Sequence, residues 1–333
     1  MTLASIIVPA FNVAGTLEKT MHALLAQTYA PFEIIIVDDG SSDATPQIAA
    51  QFSTDPRVSV LRQANRGTAG ARNVGISVAQ GEYIGFCQAG DLWMPNKLAR
   101  HVTHLRACPN VGVSFSGSAW IDETGAVTRR GQMPCCLTAV TPARILKRNP
   151  IGNGSAMVIR RAALDDMAYR PRCEVQRNWY FDETFRQCAD IECWMRMALT
   201  TSWGFEGLRD MLTKTRQSEG GFCTNPDRQL AAWERMIAKL TPLDPAFFKT
   251  HSPAARAYQM RALARRAIRD LDGAQAVNLT YGAIAQSRLP LIEEPGQSLR
   301  TICAAVALFC AGPETTRKVM QLKELLWGAK PVS

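Results

Sequence analysis

The run Phe32-Glu33-Ile34-Ile35-Ile36-Val37 constrains this chain more than any other stretch of it. A strand on a one-sided sheet alternates apolar and polar residues. A strand apolar at nearly every position must be covered on both faces, as in a mostly parallel sheet flanked by helices. The flanking sequence agrees. Strand-like runs at 5–8, 57–62 and 83–87 alternate with helix-period segments at 16–28 (Leu17, Met21, Leu24, Leu25), 42–52, 70–79 and 95–107. Such alternation predicts an α/β fold. A further strand over 111–121 leads into Asp122-Glu123-Thr124-Gly125, which reads as a hairpin turn.

The pattern changes after about residue 149. A Gly-rich loop over 150–154 precedes a short strand at 156–160, residues 165–187 are irregular and rich in Arg and aromatics, a helix spans 190–200, and a short strand covers 203–205. From 225 onward the spacing is helical, punctuated by Pro226, Pro242, Pro245, Pro253, Gly273, Pro290 and Pro295, with a helix pair at 254–270 and 274–286. The expected division is 1–224, split into halves at 1–110 and 111–224, followed by a helical region at 225–333.

With 333 residues, 47% hydrophobic and 20% charged, the chain has enough apolar mass to exclude general disorder. Its formal charge of +9 admits three partners: nucleic acid, an anionic membrane surface, or a phosphorylated substrate. No nucleic-acid module is recognisable, which puts that partner last. The opening MTLASIIVPAFN lacks the basic and apolar regions of a secretion signal, so a cytoplasmic location is expected, with the 10 cysteines as free, buried thiols. No apolar run reaches membrane-spanning length, and no C-x-x-C pair suggests zinc.

Two segments carry polar chemistry. Val37-Asp38-Asp39-Gly40-Ser41-Ser42-Asp43 follows the buried strand and opens a helix, where ligands of open α/β sheets bind. Its carboxylates can accept hydrogen bonds from a base or ribose, although Asp, Ser and Gly also suit a helix N-cap. Asn65-Arg66-Gly67-Thr68-Ala69-Gly70-Ala71-Arg72-Asn73-Val74-Gly75 combines small residues, suited to close helix packing, with two arginines that could meet phosphate. A tightly packed helix with surface arginines reads equally well from the residues alone.

Taken in order, these segments resemble the family 2 glycosyltransferases, which have the GT-A fold. The resemblance rests on Ile6-Ile7-Val8-Pro9-Ala10-Phe11-Asn12, on Leu24-Leu25-Ala26-Gln27-Thr28-Tyr29, on FEIIIVDDGSSD at 32–43 and on NRGTAGARNVGISVAQGEYIGF at 65–86. It continues through 153–161, Phe181-Asp182-Glu183 and Asp190-Ile191-Glu192-Cys193-Trp194-Met195-Arg196, and fades after about Thr224. It implies a mixed, mostly parallel sheet flanked by helices, with a helical C-terminal extension. It also implies inverting transfer of a sugar from a nucleotide-diphosphate donor to a saccharide or lipid-linked acceptor. Pro9, Phe11, Asn12, Asp38 and Asp39 would hold base and ribose, Arg66, Arg72 and Arg216 would face the donor phosphates, and Asp190 would be the general base. Asp190 could also be a helix N-cap, and the family's usual preceding Glu is Ala189 here.

The chain departs from the family at the metal motif. Where Leu-Asp-x-Asp-Asp is usual, it reads Cys87-Gln88-Ala89-Gly90-Asp91, aligned on Trp93 and Pro95. Gln88 could still bond a ribose, Gly90 has no side-chain oxygen, and Asp91 is the remaining acidic residue, expected as a ligand of Mn2+ or Mg2+. Three readings follow: Asp91 holds a metal directly or through water, cationic side chains offset the diphosphate charge, or catalysis is reduced. The last gives a rival function, a non-catalytic nucleotide-sugar-binding or scaffold protein. A nucleotidyltransferase lacks support, because no Gly-rich Lys/Arg signature follows the first strand.

Three smaller features have plain readings beside sharper ones. His101 and His104 are expected on an exposed helix face rather than as a metal pair. Trp179 and Tyr180 suit core packing or stacking on an acceptor sugar. Arg256, Arg261, Arg265, Arg266 and Arg269 suggest a solvated helix face, or a peripheral contact with an anionic membrane.

Overall fold

The computed structural model describes residues 2–134, 136–172, 174–175, 177–216 and 225–327. Expectations that involve Cys135, Cys173, Gln217 and Cys223 lie outside these residues. The chain divides into two compact units, Met1–Ile145 with Asn149–Phe222, and Leu146–Arg148 with Cys223–Ser333.

The first unit is built on β1 (Ala4–Ala10), α1 (Leu17–Leu25), β2 (Phe32–Asp38), α2 (Thr45–Phe52), β3 (Val58–Arg62), α3 (Gly67–Val78) and β4 (Tyr83–Phe86). β5 (Leu92–Trp93), α4 (Lys97–Ala107), β6 (Val111–Ile121), β7 (Val127–Gln132), α5 (Pro142–Lys147), β8 (Met157–Arg160), α6 (Arg161–Asp165), α7 (Ala189–Thr200) and β9 (Gly204–Arg216) follow. The nine-stranded sheet has the order β3-β2-β1-β4-β8-β6-β9-β5, with β7 paired to β6. β3, β2, β1 and β4 are mutually parallel, β8 is antiparallel to β4 and β6, and β9 runs parallel to β6.

The apolar run at 32–37 sits in the middle of the parallel half. Ile34, Ile35 and Ile36 are at most 1% exposed, and Ile6, Ile7 and Val8 lie opposite them in register. Fully burying such a side chain contributes roughly 1.5–3 kcal/mol. Leu17, Met21 and Leu24, at spacings of four and three, present one buried face of α1 to the sheet. α3 comes close because it is small. A Cβ at Gly75 would lie 2.4 Å from Ile7 Cγ2.

The second unit is helical, with α8 (Pro226–Leu240), α9 (Pro245–Arg269), α10 (Gly273–Gln286), α11 (Leu289–Glu293) and α12 (Pro295–Trp327). Its core includes Leu263, Ala264, Ala267, Ala276, Leu279 and Ala305. α9 runs through Pro253, expected as a break, whereas α12 is interrupted at Gly312 (φ 78°) next to Pro313. No helix among the described residues is long and apolar enough to cross a membrane.

Several expectations are corrected here. His101 is fully buried rather than on an exposed face. Of the two readings of Trp179 and Tyr180, core packing holds, at 5% and 6% exposed. The α9 arginines are engaged within their own unit. Arg256 pairs with Glu234, buried Arg261 with Glu294, Arg265 with Gln297 and Arg266 with Asp270. Asp270 closes α9 itself, four residues after Arg266, whereas Glu234, Glu294 and Gln297 lie on other helices, which periodicity within α9 does not reveal. Cys87 and Cys193 are buried free thiols as expected, but Cys303 and Cys310 are exposed.

Candidate active site

Loops at the carboxyl ends of β1, β2 and β4 gather most of the expected site residues. Pro9 lies within β1, and Phe11 stands exposed just beyond it. Asn12 takes φ 52°, a left-handed turn that Asn tolerates better than most residues. Its Oδ1 accepts the Ser42 N–H at 2.9 Å, while Ser41 Oγ accepts the Asn12 N–H at 3.0 Å. The β1 turn and the acidic loop are thereby knitted together.

Asp38 and Asp39 are both buried, each with its own task. Asp38 Oδ1 accepts the Ser41 N–H at 2.9 Å, and its Oδ2 lies 3.2 Å from Arg62 Nε. Asp39 accepts the N–H groups of Arg66 and Gly67 at 2.8 Å each, and Gln63 Nε2 at 2.6 Å. It therefore closes the amino end of α3, where unpaired N–H groups and the helix dipole favour a carboxylate. Asp43 Oδ1 still accepts the Thr45 N–H at 2.9 Å at the start of α2, as expected near Ser42 and Asp43, while Asp39 serves a different helix.

The two arginines of α3 diverge. Arg66 is held by Glu183, 2.6 Å from Nε, and Glu174, 3.2 Å from Nη2. Arg72 is 2% exposed. Its guanidinium carbon lies 5.3 Å and 5.0 Å from the ring centres of Phe86 and Phe181, and Nη1 bonds Asp190 Oδ1. Asp190 is the second residue of α7, behind Cys188 as N-cap, so it is not the cap itself. Its side chain stays 32% exposed, one face on Arg72 and the other open. α7 is anchored by Arg196, which bonds Glu192 at 2.9 Å and the Met167 carbonyl at 2.7 Å. Gly154 makes the pair possible, since a Cβ there would fall 2.1 Å from Arg72 Nη2 and 3.3 Å from Asp190 Oδ2.

The altered metal motif adjoins this pair through Ser155. Ser155 Oγ donates to Asp91 Oδ2 at 2.6 Å and accepts the Gln88 N–H at 2.9 Å. Asp91 Oδ1 accepts the Arg216 N–H at 3.1 Å. Asp91 is 3% exposed, and burial raises its pKa to about 6 against the lowering effect of these bonds. Arg216 Nε donates to the Gly90 carbonyl at 3.3 Å, and Nη1 donates to the Asp122 carbonyl. Divalent Mn2+ or Mg2+ needs several hard oxygen ligands in the open. The residues at the motif do not fit one: Gln88 offers a neutral amide in place of a carboxylate, Gly90 only a carbonyl already taken by a cation, and Asp91 is buried.

Three features were missed by residue-level reading. Ser155 links Asp91 to Gln88, and the small-residue run Gly152-Asn153-Gly154-Ser155 before a buried strand was its only signal. Lys97 is fully buried, bonded to the Ala156 carbonyl at 3.1 Å and to His101 Nε2 at 3.2 Å, and burial lowers its pKa to about 7. Burial likewise pushes His101 well below its ordinary value. His104, Cys108 and Glu206 bring potential ligand atoms within 4.8 Å of one another, a cluster that C-x-x-C counting does not find. Glu206 lies ten residues before Arg216 on β9, roughly 30 Å of strand away from the altered motif.

Residues 5–168 match the sequence model of glycosyl transferase family 2. An uncharacterized glycosyltransferase of Rickettsia typhi is 26% identical over 252 residues, covering 74% of this chain and 75% of that protein. The Escherichia coli UDP-Glc:alpha-D-GlcNAc-diphosphoundecaprenol beta-1,3-glucosyltransferase WfaP is 35% identical over 128 residues, covering 38% of this chain and 50% of that protein. An uncharacterized glycosyltransferase of Nostoc is 38% identical over 111 residues, and the chain spans only 34% of its length. Among solved structures, Staphylococcus aureus TarS 1-349 in complex with UDP-GlcNAc superposes with a TM-score of 0.58 at 17% identity, covering 96% of this chain and 92% of that one. The mannosyltransferase PcManGT from Pyrobaculum calidifontis, in complex with GDP-Man and Mn2+, gives 0.50 at 20% identity, covering 92% and 86%. These likenesses agree with the GT-A architecture expected from the sequence.

Proposed function

The chain belongs to glycosyl transferase family 2, and from that premise we propose that it transfers a sugar from a nucleotide-diphosphate donor to an acceptor hydroxyl, with inversion. The observation that carries the reading is Asp190, placed in the first turn of α7 with one carboxylate face on buried Arg72 and the rest open. An inverting transfer needs one carboxylate at the acceptor hydroxyl. The acceptor oxygen attacks the anomeric carbon from the side opposite the leaving group. As the new C–O bond forms, the bond to the diphosphate oxygen breaks, its electron pair leaves with the diphosphate, and the hydroxyl proton passes to Asp190. Pro9, Phe11, Asn12, Asp38, Asp39 and Gln88 line the donor end of this reading, and Arg216 lies at the diphosphate.

The acceptor on this reading is a saccharide or lipid-linked saccharide in polysaccharide or glycoconjugate assembly, met at the cytoplasmic face of a membrane as a peripheral contact. The E. coli relative, whose name specifies a diphosphoundecaprenol-linked acceptor, supports this. Salt-sensitive flotation with anionic vesicles is the expected result, and its absence would remove the membrane contact. The catalytic test is transfer from a panel of UDP-, GDP- and dTDP-sugars with wild type and Asp190→Asn. A variant as active as wild type would refute the base assignment. The altered motif at Gln88 and Gly90 supports one rival, a non-catalytic nucleotide-sugar-binding protein. Nucleotide binding without turnover on any donor would favour it.

A further inference from the structure

We propose that the Arg216 guanidinium takes the place of a divalent metal at the donor diphosphate, so that the chain binds a nucleoside diphosphate without a metal ion. This rests on the donor reading given above.

The position that would supply a metal-ligating carboxylate is not simply a shortened side chain. Gly90 has φ 125°, a backbone conformation that L side chains rarely adopt. An aspartate could not be restored there without moving the loop. The loop is held in that shape by the cation itself. Arg216 Nε donates to the Gly90 carbonyl at 3.3 Å, the Arg216 N–H donates to Asp91 Oδ1 at 3.1 Å, and Nη1 donates to the Asp122 carbonyl.

Those anchors leave Arg216 Nη2, which is buried and has no hydrogen-bond partner. A buried charged donor without an acceptor is unfavourable in the free protein and is satisfied by an anionic oxygen. Asp91 interacts with the guanidinium charge, but its carboxylate bonds Ser155 Oγ and the Arg216 backbone N–H and leaves Nη2 without an acceptor. The nearest remaining acidic group of the motif is absent, since Gln88 and Gly90 stand at the other two positions. A guanidinium with one buried donor unused therefore stands beside the altered metal motif. A planar guanidinium meets phosphate oxygens with directed N–H bonds and can steady the charge that develops on a departing diphosphate.

The experiment is calorimetric titration of the full chain with UDP, GDP and the corresponding monophosphates, once in EDTA and once in excess Mn2+. Wild type is expected to bind at least one diphosphate with affinity equal within about twofold under both conditions. Arg216→Gln is expected to weaken that diphosphate by roughly tenfold or more, with little change for the monophosphate, and Arg216→Lys to recover part of the loss. Diphosphate binding that requires Mn2+ would overturn the inference while leaving the donor reading intact. An Arg216→Gln protein that folds and binds like wild type would overturn it as well. Absence of any nucleotide binding under either condition would overturn the donor reading and this inference with it. If the Gln variant does not fold, the wild-type comparison decides alone.

Discussion

Removing the carboxylate of Asp190 should destabilise the first unit as well as abolish transfer, and the size of the effect follows from Arg72. The Arg72 guanidinium is 2% exposed, stacked between Phe86 and Phe181, and its Nε has no partner. Asp190 is the anion that compensates it. Deleting one member of a buried ion pair typically costs about 3–5 kcal/mol, because the other charge remains without its partner. The Asp190 side chain is 32% exposed, so water can partly replace it. The lower end applies, about 3 kcal/mol, against a domain stability of roughly 5–15 kcal/mol. The two ring contacts persist in the variant and offset nothing. The converse change is milder. Arg72→Met keeps an unbranched side chain between the rings and leaves Asp190 able to hydrate, at an expected cost of about 1 kcal/mol. The double variant Asp190→Ala/Arg72→Met should then recover about 2 kcal/mol relative to Asp190→Ala alone. Urea unfolding followed by fluorescence of the buried Trp93 and Trp194 measures all four proteins. If Asp190→Ala lies within about 0.5 kcal/mol of wild type, or if Arg72→Met is as damaging, the asymmetry argument is refuted.

Further predictions concern the neighbours of this pair. Gly154→Ala places a Cβ 2.1 Å from Arg72 Nη2, and should cost about 1–3 kcal/mol in unfolding experiments and lower transfer by displacing Asp190. Asp39→Ala removes the acceptor of the Arg66 and Gly67 N–H groups, and should lower stability by about 1–2 kcal/mol, read from thermal or urea unfolding. Asp91 has its pKa raised to about 6 in the folded chain, so the native state holds a proton that the unfolded state has released. Its contribution is therefore greatest below the ordinary carboxylate range and falls as pH climbs from about 4 to 6, by up to roughly 3 kcal/mol. Asp91→Asn should flatten that slope in unfolding curves taken across the window, and an unchanged slope would exclude Asp91 as its source. Lys97, lowered to about 7, acts in the opposite sense at higher pH, where stability should rise as pH passes above 7 and Lys97→Met should remove the rise.

Much of the parallel half was legible because its signals are local. Residues 32–37 are apolar in succession, and the strand forms at Phe32–Asp38, while Leu17, Met21 and Leu24 mark the buried face of α1. β9 was not. Only 203–205 read as strand, yet β9 runs to Arg216, because Glu206, Gly207 and then residues from Met211 to Arg216 pair with β6 across a register irregularity rather than by any pattern of their own. Pro253 misled in the same way, since packing of α9 against its neighbours tolerates a proline that punctuation rules treat as an end.

The candidate site divides along the same line. Asp39, Asp190, Gln88, Gly90 and Arg216 were singled out by the resemblance of their ordered segments to the family's motifs; for Asp190 the residues alone read equally well as a helix N-cap. The sequence also showed that two motif carboxylates are missing. It could not show that Arg72 is buried beneath Asp190, that Asp39 closes α3, or that Arg216 is bonded to the Gly90 carbonyl. Those pairings join residues 118, 28 and 126 positions apart. Contacts at such separations leave no periodic trace in the chain, and only the assembled sheet, in which β8, β6 and β9 continue in order beyond β4, brings the partners within hydrogen-bond range.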